Sequence, residues 1–339
     1  MKFPLRPEKI FVDQSVWDLE TTQNILSQFS HIAAEKISDA RELKNKSGTK
    51  RLLLLTRKKS EPLKEFKALA ISADVPYYSL DLVSNCHLEC TYCILQSYLE
   101  NNPILTIYTN LDEVLESVKS SFDKLRMSGL DLASTMVGTG RIADSLALEP
   151  VTGYAQKLIS YFSQLKGPLL ELKTKADFVD DLLDLDHQGK TILSWSLSPE
   201  FLVKREEVKT ATLEERLEAM KKVAQAGYKV GVHMDPVIVH SEWKKNYTEL
   251  IQNIFKTVKP DQIYWVSVGT LRLPNRQRKI MEKRFPKNHE IFEGLISTNR
   301  RFIHYPQDLR EEIYDYFRGL LMKELPQEKV FSCMEESLS

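Results

Sequence analysis

The stretch Asn85-Cys86-His87-Leu88-Glu89-Cys90-Thr91-Tyr92-Cys93 places three of the chain's four cysteines within eight residues. This C-x3-C-x2-C spacing supplies three thiolates, which suits a cubane iron–sulfur cluster whose irons otherwise each take one cysteine. Three ligands for four irons leave one iron open, and an open metal position is where a substrate or cofactor binds and reacts. The sequence therefore predicts a [4Fe-4S] cluster held by Cys86, Cys90 and Cys93.

Two other interpretations of these cysteines stay open. Buried free cysteines behave as small hydrophobic residues, and a structural zinc site needs a fourth Cys or His at a defined spacing. His87 is adjacent to Cys86 and poorly placed to bind the same ion with it, and Cys333 lies far away in the sequence. The iron–sulfur interpretation is therefore preferred.

Composition narrows the class of protein. The residues are 42% hydrophobic and 28% charged, which is typical of soluble globular proteins. The length of 339 residues allows one large domain with extensions, or two domains. No apolar stretch approaches the roughly 20 residues of a membrane span, and the N-terminus lacks the apolar core of a signal peptide. We expect no membrane partner and a cytoplasmic location, where thiolate ligation is favoured over disulfides. The 47 basic and 47 acidic residues balance, so only local patches argue for a nucleic-acid partner.

From Tyr77 onward, short apolar runs alternate with amphipathic segments, which predicts βα units and parallel strands. The candidate strands are Tyr77–Val83, Leu130–Val137, Leu169–Lys173, Thr191–Leu197, Lys229–Met234 and Gln262–Val268. The candidate helices are Leu111–Arg126, Val151–Gln164, Asp177–Leu183, Thr212–Ala226 and Trp243–Val258. Six units are too few for a closed eight-stranded barrel. The cysteine run follows the first strand, and chemistry in βα barrels gathers at the C-terminal strand ends.

The flanking regions have patterns of their own. Before residue 75, apolar spacing predicts a helix over Gln23–Ala40, and Arg51–Leu55 reads as a buried strand. After about Leu295, an amphipathic helix is predicted over Asp308–Lys323, and Cys333 lies just past it.

The cysteine spacing, with the aromatic Tyr92 before the third cysteine, resembles the signature of radical S-adenosylmethionine (SAM) enzymes. Between Tyr77 and Pro286, further segments resemble the spore photoproduct lyase family, DNA-repair enzymes of that class. These segments are Cys93–Gln96, Ile107–Asp112, Lys173–Lys175, Val179–Leu183, Gly189–Thr191, Ala224–Lys229 and Pro236–Tyr247. Gly138-Thr139-Gly140 followed by Asp144–Glu149 is similar to the DNA repair photolyase-like branch.

The resemblance implies an α/β fold built on a partial (β/α)6 TIM-like barrel of the radical SAM type; an open doubly wound sheet is the alternative. Three regions follow: an N-terminal α/β extension over residues 1–75, the barrel over 76–290, and a C-terminal helical tail over 291–339.

The resemblance also implies the chemistry. The open iron of the cluster binds SAM, an external one-electron reductant of the flavodoxin or ferredoxin type reduces the cluster, and SAM is cleaved to a 5′-deoxyadenosyl radical. The expected substrate is a thymine-dimer-type DNA lesion, and the chain is expected to act as a monomer. The alternatives are radical chemistry on RNA, a peptide or a small metabolite, and a non-catalytic iron–sulfur protein.

The same resemblance suggests cofactor-binding residues. Lys175 matches a position at the SAM carboxylate, where an ammonium neutralises the anion, and Ser196 matches another SAM-contacting position. Gly138 and Gly140 would let the backbone approach SAM closely. Independently of the resemblance, Asp235 and His233 alternate with Met234 on one face of a strand end and are expected to face the barrel mouth, as a buried pair or with a hydrogen bond to a ligand. The plain alternatives are a solvated lysine, a polar strand residue and an ordinary turn.

Departures from the family pattern concern the hydrogen-atom shuttle. The family's hydrogen-donating cysteine falls near Gly138, which has no thiol, and its tyrosine after the third cysteine is Ile94 here. Arg141 stands where the branch commonly has a glutamate. Tyr92 is retained and is a candidate catalytic residue. Cys333 is predicted to supply the missing hydrogen atom from a tail folded over the barrel mouth, the alternative being an incidental buried cysteine.

A basic cluster follows the sixth candidate strand. It comprises Arg272, Arg276, Arg278, Lys279, Lys283 and Arg284, with Arg300 and Arg301 further on. Such density neutralises phosphates and positions a duplex, although a solvated helix face is the alternative. Trp265 and Tyr305 are candidates for stacking on a base, or else core residues.

Overall fold

The structure is a computed structural model that describes residues 5–43, 50–66, 75–99, 104–286, 290–297 and 302–333. Its strands are β1 (Lys9–Asp13), β2 (Ala34–Ile37), β3 (Leu52–Thr56), β4 (Leu63–Glu65), β5 (Tyr77–Leu80), β6 (Val83–Ser84), β7 (Glu89–Cys90), β8 (Leu105–Tyr108), β9 (Met136–Gly138), β10 (Leu169–Thr174), β11 (Thr191–Ser196), β12 (Glu207–Val208), β13 (Lys229–Val237), β14 (Ile263–Thr270), β15 (Arg272–Pro274), β16 (Ile296–Ser297), β17 (Phe302–His304) and β18 (Val330–Ser332). Its helices are α1 (Glu20–Gln28), α2 (Leu95–Tyr98), α3 (Leu111–Met127), α4 (Glu149–Thr152), α5 (Tyr154–Ser163), α6 (Glu200–Glu206), α7 (Leu213–Gln225), α8 (Trp243–Thr257), α9 (Asn275–Arg284) and α10 (Gln307–Leu321).

The largest sheet has the order β4-β5-β9-β10-β11-β13-β14-β18. All neighbours pair in parallel except β4, which is antiparallel to β5 at one edge. The six strands from β5 to β14 overlap the six candidate strands and lie side by side in chain order, so the βα prediction is confirmed. Over the described ranges the sheet is open, with β4 and β18 as its edges.

A second sheet has the order β2-β1-β3-β8-β6, with β6 antiparallel and the others parallel. Its core comes from alternate apolar residues such as Ile10, Leu53 and Ile107, all fully buried. Strands β8 and β6 follow residue 75 in the chain, so this sheet combines N-terminal strands with two strands that flank the cysteine run. The sheet therefore anchors both ends of that run.

The helices form because each has one apolar face and favourable ends. On α3, Val114, Val118 and Phe122 recur every four residues and are buried. Thr212 caps α7 in a capping box with Glu215, which satisfies amide groups that otherwise lack partners. Helices α5, α7 and α10 pack against strands of the large sheet and cover its outer side.

The predicted helix over Gln23–Ala40 is wrong in its second half. Helix α1 ends at Gln28, and Ala34–Ile37 forms β2, which pairs in parallel with β1. The apolar residues fit either period, and a complete hydrogen-bond ladder with the neighbouring strand decides between them. Similarly, Leu130–Val137 is strand only from Met136, and Asp177–Leu183 contains a single 3₁₀ turn over Asp180–Leu182.

The tail does more than form a helix. Helix α10 buries Ile313 and Phe317, and the chain then continues into β18. Strand β18 extends the large sheet by pairing in parallel with β14, with Val268 opposite Ser332. No described helix is both long and apolar enough to cross a bilayer.

Candidate metal and cofactor site

A cavity of about 180 Å³ lies at the carboxyl ends of the parallel strands. Side chains alternate between the two faces of a strand, and polar residues at the strand ends point to this cavity. It is lined by Cys86, Leu88, Cys90, Cys93, Ile94, Leu95, Gly140, Arg141, Ala143, Asp144, Lys173, Thr174, Lys175, Ser196 and Asp235. The structure thus brings the three cysteines of the run together with four of the five proposed cofactor-binding residues.

The cysteine run is held mainly by hydrogen bonds to its backbone. Strand β7 pairs with β12, and the Thr91 amide donates to the Glu206 carbonyl at 2.8 Å. The Gln96 side chain donates to the carbonyls of Cys90 and Thr91 at 2.9 and 2.8 Å. Gln277 donates to the Cys93 carbonyl at 2.8 Å. These bonds satisfy backbone groups that a loop otherwise leaves unpaired and fix the thiols against the cavity.

Three thiols on one cavity are the kind of donor set that an iron–sulfur cluster uses. All three are free. Burial, with the Asp144 carboxylate, raises the pKa of the Cys86 thiol to about 12. Burial raises the pKa of Cys90 as well, although the Lys175 ammonium opposes that shift. Such thiols become thiolates when a metal cation compensates their charge. Within the described ranges, no three Cys, His, Asp or Glu side chains converge as they would on a single ion.

Lys175 places a positive charge close enough to Cys90 to act on its thiol. It follows β10, and its ammonium lies 5.8 Å from the centre of the Tyr92 ring. Burial lowers its pKa, but the Glu207 carboxylate and the Cys90 thiol outweigh burial, so the pKa of Lys175 is raised. Lys175 therefore keeps its positive charge beside the cysteines.

Tyr92 lies behind the loop and does not line the cavity. Its buried hydroxyl donates to the Glu207 carboxylate, which also accepts from Ser198 at 3.0 Å and pairs with Arg216 at 2.6 Å. Burial and the Glu207 charge raise the pKa of Tyr92 well above its usual value. Tyr92 thus belongs to a buried network that supports Lys175.

The two glycines play different parts. Gly140 lines the cavity, and a Cβ there would lie 3.0 Å from the Lys173 Cβ. Gly138 does not line it, and a Cβ there would lie 1.7 Å from the Tyr77 hydroxyl oxygen. Gly138 is therefore a packing requirement for Tyr77, and that space has no room for a thiol.

A buried polar network around Glu171 lies on the same strands. The Glu171 carboxylate accepts from the hydroxyls of Tyr77 at 2.6 Å and Ser194 at 2.7 Å, and contacts the His233 imidazole at 2.9 Å. Burial alone would raise the pKa of Glu171. His233, Lys173 and Tyr77 outweigh burial and lower that pKa to about 2. A charged residue inside the apolar run Leu169–Leu172 is the sequence signal that identifies this site.

Three charged lining residues were not identified from the sequence as cavity residues. Arg141 forms an ion pair with the buried Asp81. Asp144 accepts hydrogen bonds from the Thr174 hydroxyl and the Lys175 amide, both at 2.7 Å. Lys173 is the third. Asp144 also accepts from the backbone amides of Leu146 and Ala147. Aspartate favours this local pattern, so the pattern was the sequence signal that could have identified Asp144.

Cys333 lies beside the cavity wall. Its amide donates to the Val268 carbonyl at 2.7 Å, and its buried thiol hydrogen-bonds with Asp235 and Ser267. A Cβ at Gly269 would lie 2.6 Å from the Asp235 Oδ1 and 3.1 Å from the Cys333 Cβ. The absence of a side chain at Gly269 therefore allows Cys333 to meet Asp235, which lines the cavity.

The basic cluster follows β14, as the sequence indicates, and most of it forms α9. Arg300 and Arg301 lie outside the described residues. Trp265 and Tyr305 are 1% and 0% exposed, so the suggestion that they stack on a base is wrong. Trp265 packs on His233, and the Tyr305 hydroxyl accepts from the Val239 amide at 2.9 Å. Both are core residues.

Comparisons with known proteins agree with this architecture. Spore photoproduct lyase from Bacillus subtilis (strain 168) is 24% identical over 294 residues, which cover 85% of this chain and 84% of that protein. Its counterpart from Geobacillus sp. (strain Y412MC61) is 28% identical over 214 residues, 62% of this chain and 61% of that one.

Solved structures show the same fold. A spore photoproduct lyase mutant with bound AdoMet and dinucleoside spore photoproduct matches with a TM-score of 0.83 and 20% identity, covering 97% of this chain and 99% of the other. Another, complexed with dinucleoside spore photoproduct, gives the same values. The family model for spore photoproduct lyase matches residues 7–328. The chain therefore belongs to the spore photoproduct lyase family, which is a family of enzymes.

Proposed function

We propose that this protein is a radical SAM lyase that repairs a thymine-dimer-type lesion in DNA. The observation that carries the proposal is the cavity, which gathers three free thiols, the charged Lys175, Ser196, Gly140 and Asp235 at the carboxyl ends of parallel strands. The family is that of spore photoproduct lyases, and two solved structures of the same fold contain the dinucleoside spore photoproduct.

The large sheet is, on this proposal, the partial (β/α)6 barrel of a radical SAM enzyme. Its six parallel strands in chain order, with helices on the outer side, support that assignment. The proposed regions remain residues 1–75, 76–290 and 291–339, with β6 and β8 shared between the first two because they join the N-terminal sheet.

The thiolates of Cys86, Cys90 and Cys93 would hold a [4Fe-4S] cluster. With SAM bound, such a cluster would supply a 5′-deoxyadenosyl radical for hydrogen abstraction from the substrate. The chain's own groups position SAM: Lys175 neutralises its carboxylate, the Ser196 hydroxyl hydrogen-bonds to it, and Gly140 lets it approach the backbone.

Asp235 is proposed to accept a hydrogen bond from the SAM amine or a ribose hydroxyl. Arg141 stands where the family branch commonly has a glutamate, and its guanidinium is occupied by Asp81. Asp144 already accepts from four backbone or hydroxyl donors. Asp235 is thus the lining carboxylate best placed for this role, while Gly138 and Tyr92 act from outside the cavity by supporting Tyr77 and Glu207.

Cys333 is proposed to return a hydrogen atom to the product radical. Its thiol adjoins Asp235 on the cavity wall, and burial with the Asp235 charge raises the pKa of Cys333, so the S–H bond stays intact. In the step, the S–H bond breaks and a C–H bond forms on the substrate carbon. The thiyl radical left on Cys333 then takes one electron from the external one-electron donor and a proton from solvent, which restores the thiol. The proposed location is the cytoplasm, whose reducing conditions favour free thiols.

The reductant is proposed to be a one-electron donor of the flavodoxin or ferredoxin type, and the acting species a monomer. The test uses anaerobically reconstituted protein with SAM, dithionite and dinucleoside spore photoproduct. Repair to two thymidines, lost in Cys90→Ala, supports the proposal. Formation of 5′-deoxyadenosine without any repair of the dinucleoside or of irradiated DNA overturns it.

That second outcome would favour radical chemistry on another substrate, such as RNA, a peptide or a small metabolite. One observation favours such a substrate: the Tyr77 hydroxyl fills the space near Gly138 where the family's hydrogen-donating thiol is expected.

A further inference from the structure

Helix α9 presents two distinct faces. Gln277 and Met281 are 0% and 2% exposed and pack inward. Arg276, Lys279 and Lys283 are all exposed and follow one another at i, i+3 and i+7, which places them on a single stripe of the helix. We call these three residues the α9 stripe.

The other cations of the cluster already have partners. Arg278 pairs with Glu282 at 2.8 Å and lies over the Phe292 ring. Arg284 donates to the Gln96 side chain at 2.8 Å, and Arg272 lies over Phe302. In the part of the chain that the structure describes, no carboxylate pairs with the stripe. Its three exposed charges therefore have no carboxylate partner among the described residues, in a chain whose formal net charge is zero.

The stripe is joined to the cavity rim by the inner side of its helix. Gln277 donates to the carbonyl of Cys93, which lines the cavity. Arg284 contacts Gln96, whose amide also holds the carbonyls of Cys90 and Thr91. A ligand bound along the stripe would thus lie next to the loop that carries the thiols.

We propose that the α9 stripe binds the phosphate backbone of duplex DNA beside the cavity. The choice of DNA rests on the proposed function. Seven residues of helix span about 10 Å, and phosphates follow each other every 3.4 Å along the axis of one strand, so the stripe covers about two to three phosphates. Contacts of this kind position a duplex without reading its sequence.

The test measures binding of the reconstituted protein to an undamaged 20-base-pair duplex by fluorescence anisotropy over a range of NaCl concentrations. The variant is Arg276→Ala/Lys279→Ala/Lys283→Ala. The matched control, Lys119→Ala/Lys124→Ala/Arg126→Ala, removes the same charge from the exposed side of α3. Because each phosphate contact contributes about 0.9 to the slope of log K against log salt, the stripe variant should lose about 2 to 3 from that slope. The control should match the wild type.

A wild-type slope in the stripe variant, or an equal loss in both variants, overturns the proposal. If the triple variant folds poorly, the single variant Lys279→Glu replaces it in the same measurement. It should lower the slope of log K against log salt by at least about 1. Turnover of the dinucleoside, which lacks flanking phosphates, should be unchanged in the stripe variant while the KM for damaged duplex rises. If no variant repairs anything but the slope still falls, the proposed function fails and the DNA surface stands.

Discussion

At the scale of single residues, the position of one thiol distinguishes this chain from the pattern that its family resemblance implies. Tyr77 occupies the space beside Gly138, where a Cβ would lie 1.7 Å from the tyrosine oxygen. Cys333 instead follows β18, the edge strand of the large sheet, and lies next to the cavity wall beside Asp235 and Gly269. The two observations together make Cys333 the proposed hydrogen-atom donor.

Replacing Cys333 with alanine should separate the first radical step from the last. Thiol hydrogens exchange with solvent, so repair in D2O should place deuterium in the product of the wild type. Cys333→Ala should cleave SAM normally, lose most of that deuterium and accumulate incomplete products, as measured by mass spectrometry. Cys333→Ser should behave likewise because an O–H bond is a poor hydrogen-atom donor. Unchanged repair and unchanged deuterium content in Cys333→Ala would rule out the role.

Glu171 should make stability depend on pH. Its pKa is lowered from 4.5 to about 2 in the folded protein, so its contribution is fully present above pH 4.5 and is lost as the pH falls towards 2. The shift corresponds to about 3 kcal/mol. Glu171→Gln should therefore be less stable by about that amount at pH 7 in urea unfolding, with the difference narrowing below pH 4.5.

The control for that experiment is Glu218→Gln, since Glu218 is an exposed carboxylate on α7. It should follow the wild type at every pH. Parallel stability curves for Glu171→Gln and wild type down to pH 3 would contradict the assignment of a buried, ionised Glu171.

At the scale of elements, the sequence could predict strands that follow from a local pattern. It could not predict strands that depend on pairing with distant segments. The strands β5 to β14 repeat a local βα alternation, and the sequence identified each of them. Strand β18 forms by pairing with β14, and β8 joins the N-terminal sheet by pairing with β3. Because these partners lie far away in the sequence, hydrophobic periodicity could not predict either pairing. The same reason explains the error over Ala34–Ile37, where pairing with β1 overrides a helical spacing.

Helix α9 should control how firmly the cysteine loop is held. Gln277→Ala removes a buried donor to the Cys93 carbonyl, which should cost about 1 kcal/mol for the lost hydrogen bond. The Gln96 amide at 3.2 Å remains as the other donor to that carbonyl. The looser loop should release iron to a chelator several-fold faster than wild type. Arg278→Ala, an exposed change on the same helix, is the control. Equal release rates for Gln277→Ala and Arg278→Ala would show that α9 does not stabilise the loop.

At the scale of the whole molecule, the site is a meeting point of segments far apart in the chain. Spacing alone made the three cysteines candidate ligands, because residues close together in sequence leave a motif. Lys175, Ser196 and Gly140 were suggested by resemblance and Asp235 by its place at a strand end, and the sheet places them around one cavity. Arg141, Asp144 and Lys173 were not identified as lining residues because their position depends on how the loops after β9 and β10 pack together.

The central claim is that three thiolates hold a cluster with one open iron at the mouth of this sheet. The most direct measurement is the metal content and electron paramagnetic resonance of anaerobically reconstituted protein, reduced with and without SAM. We predict about four irons and four sulfides per chain, a [4Fe-4S] signal that changes when SAM is added, and loss of both in Cys90→Ala. Protein that takes up zinc or no metal, and binds neither iron nor sulfide, would contradict the account.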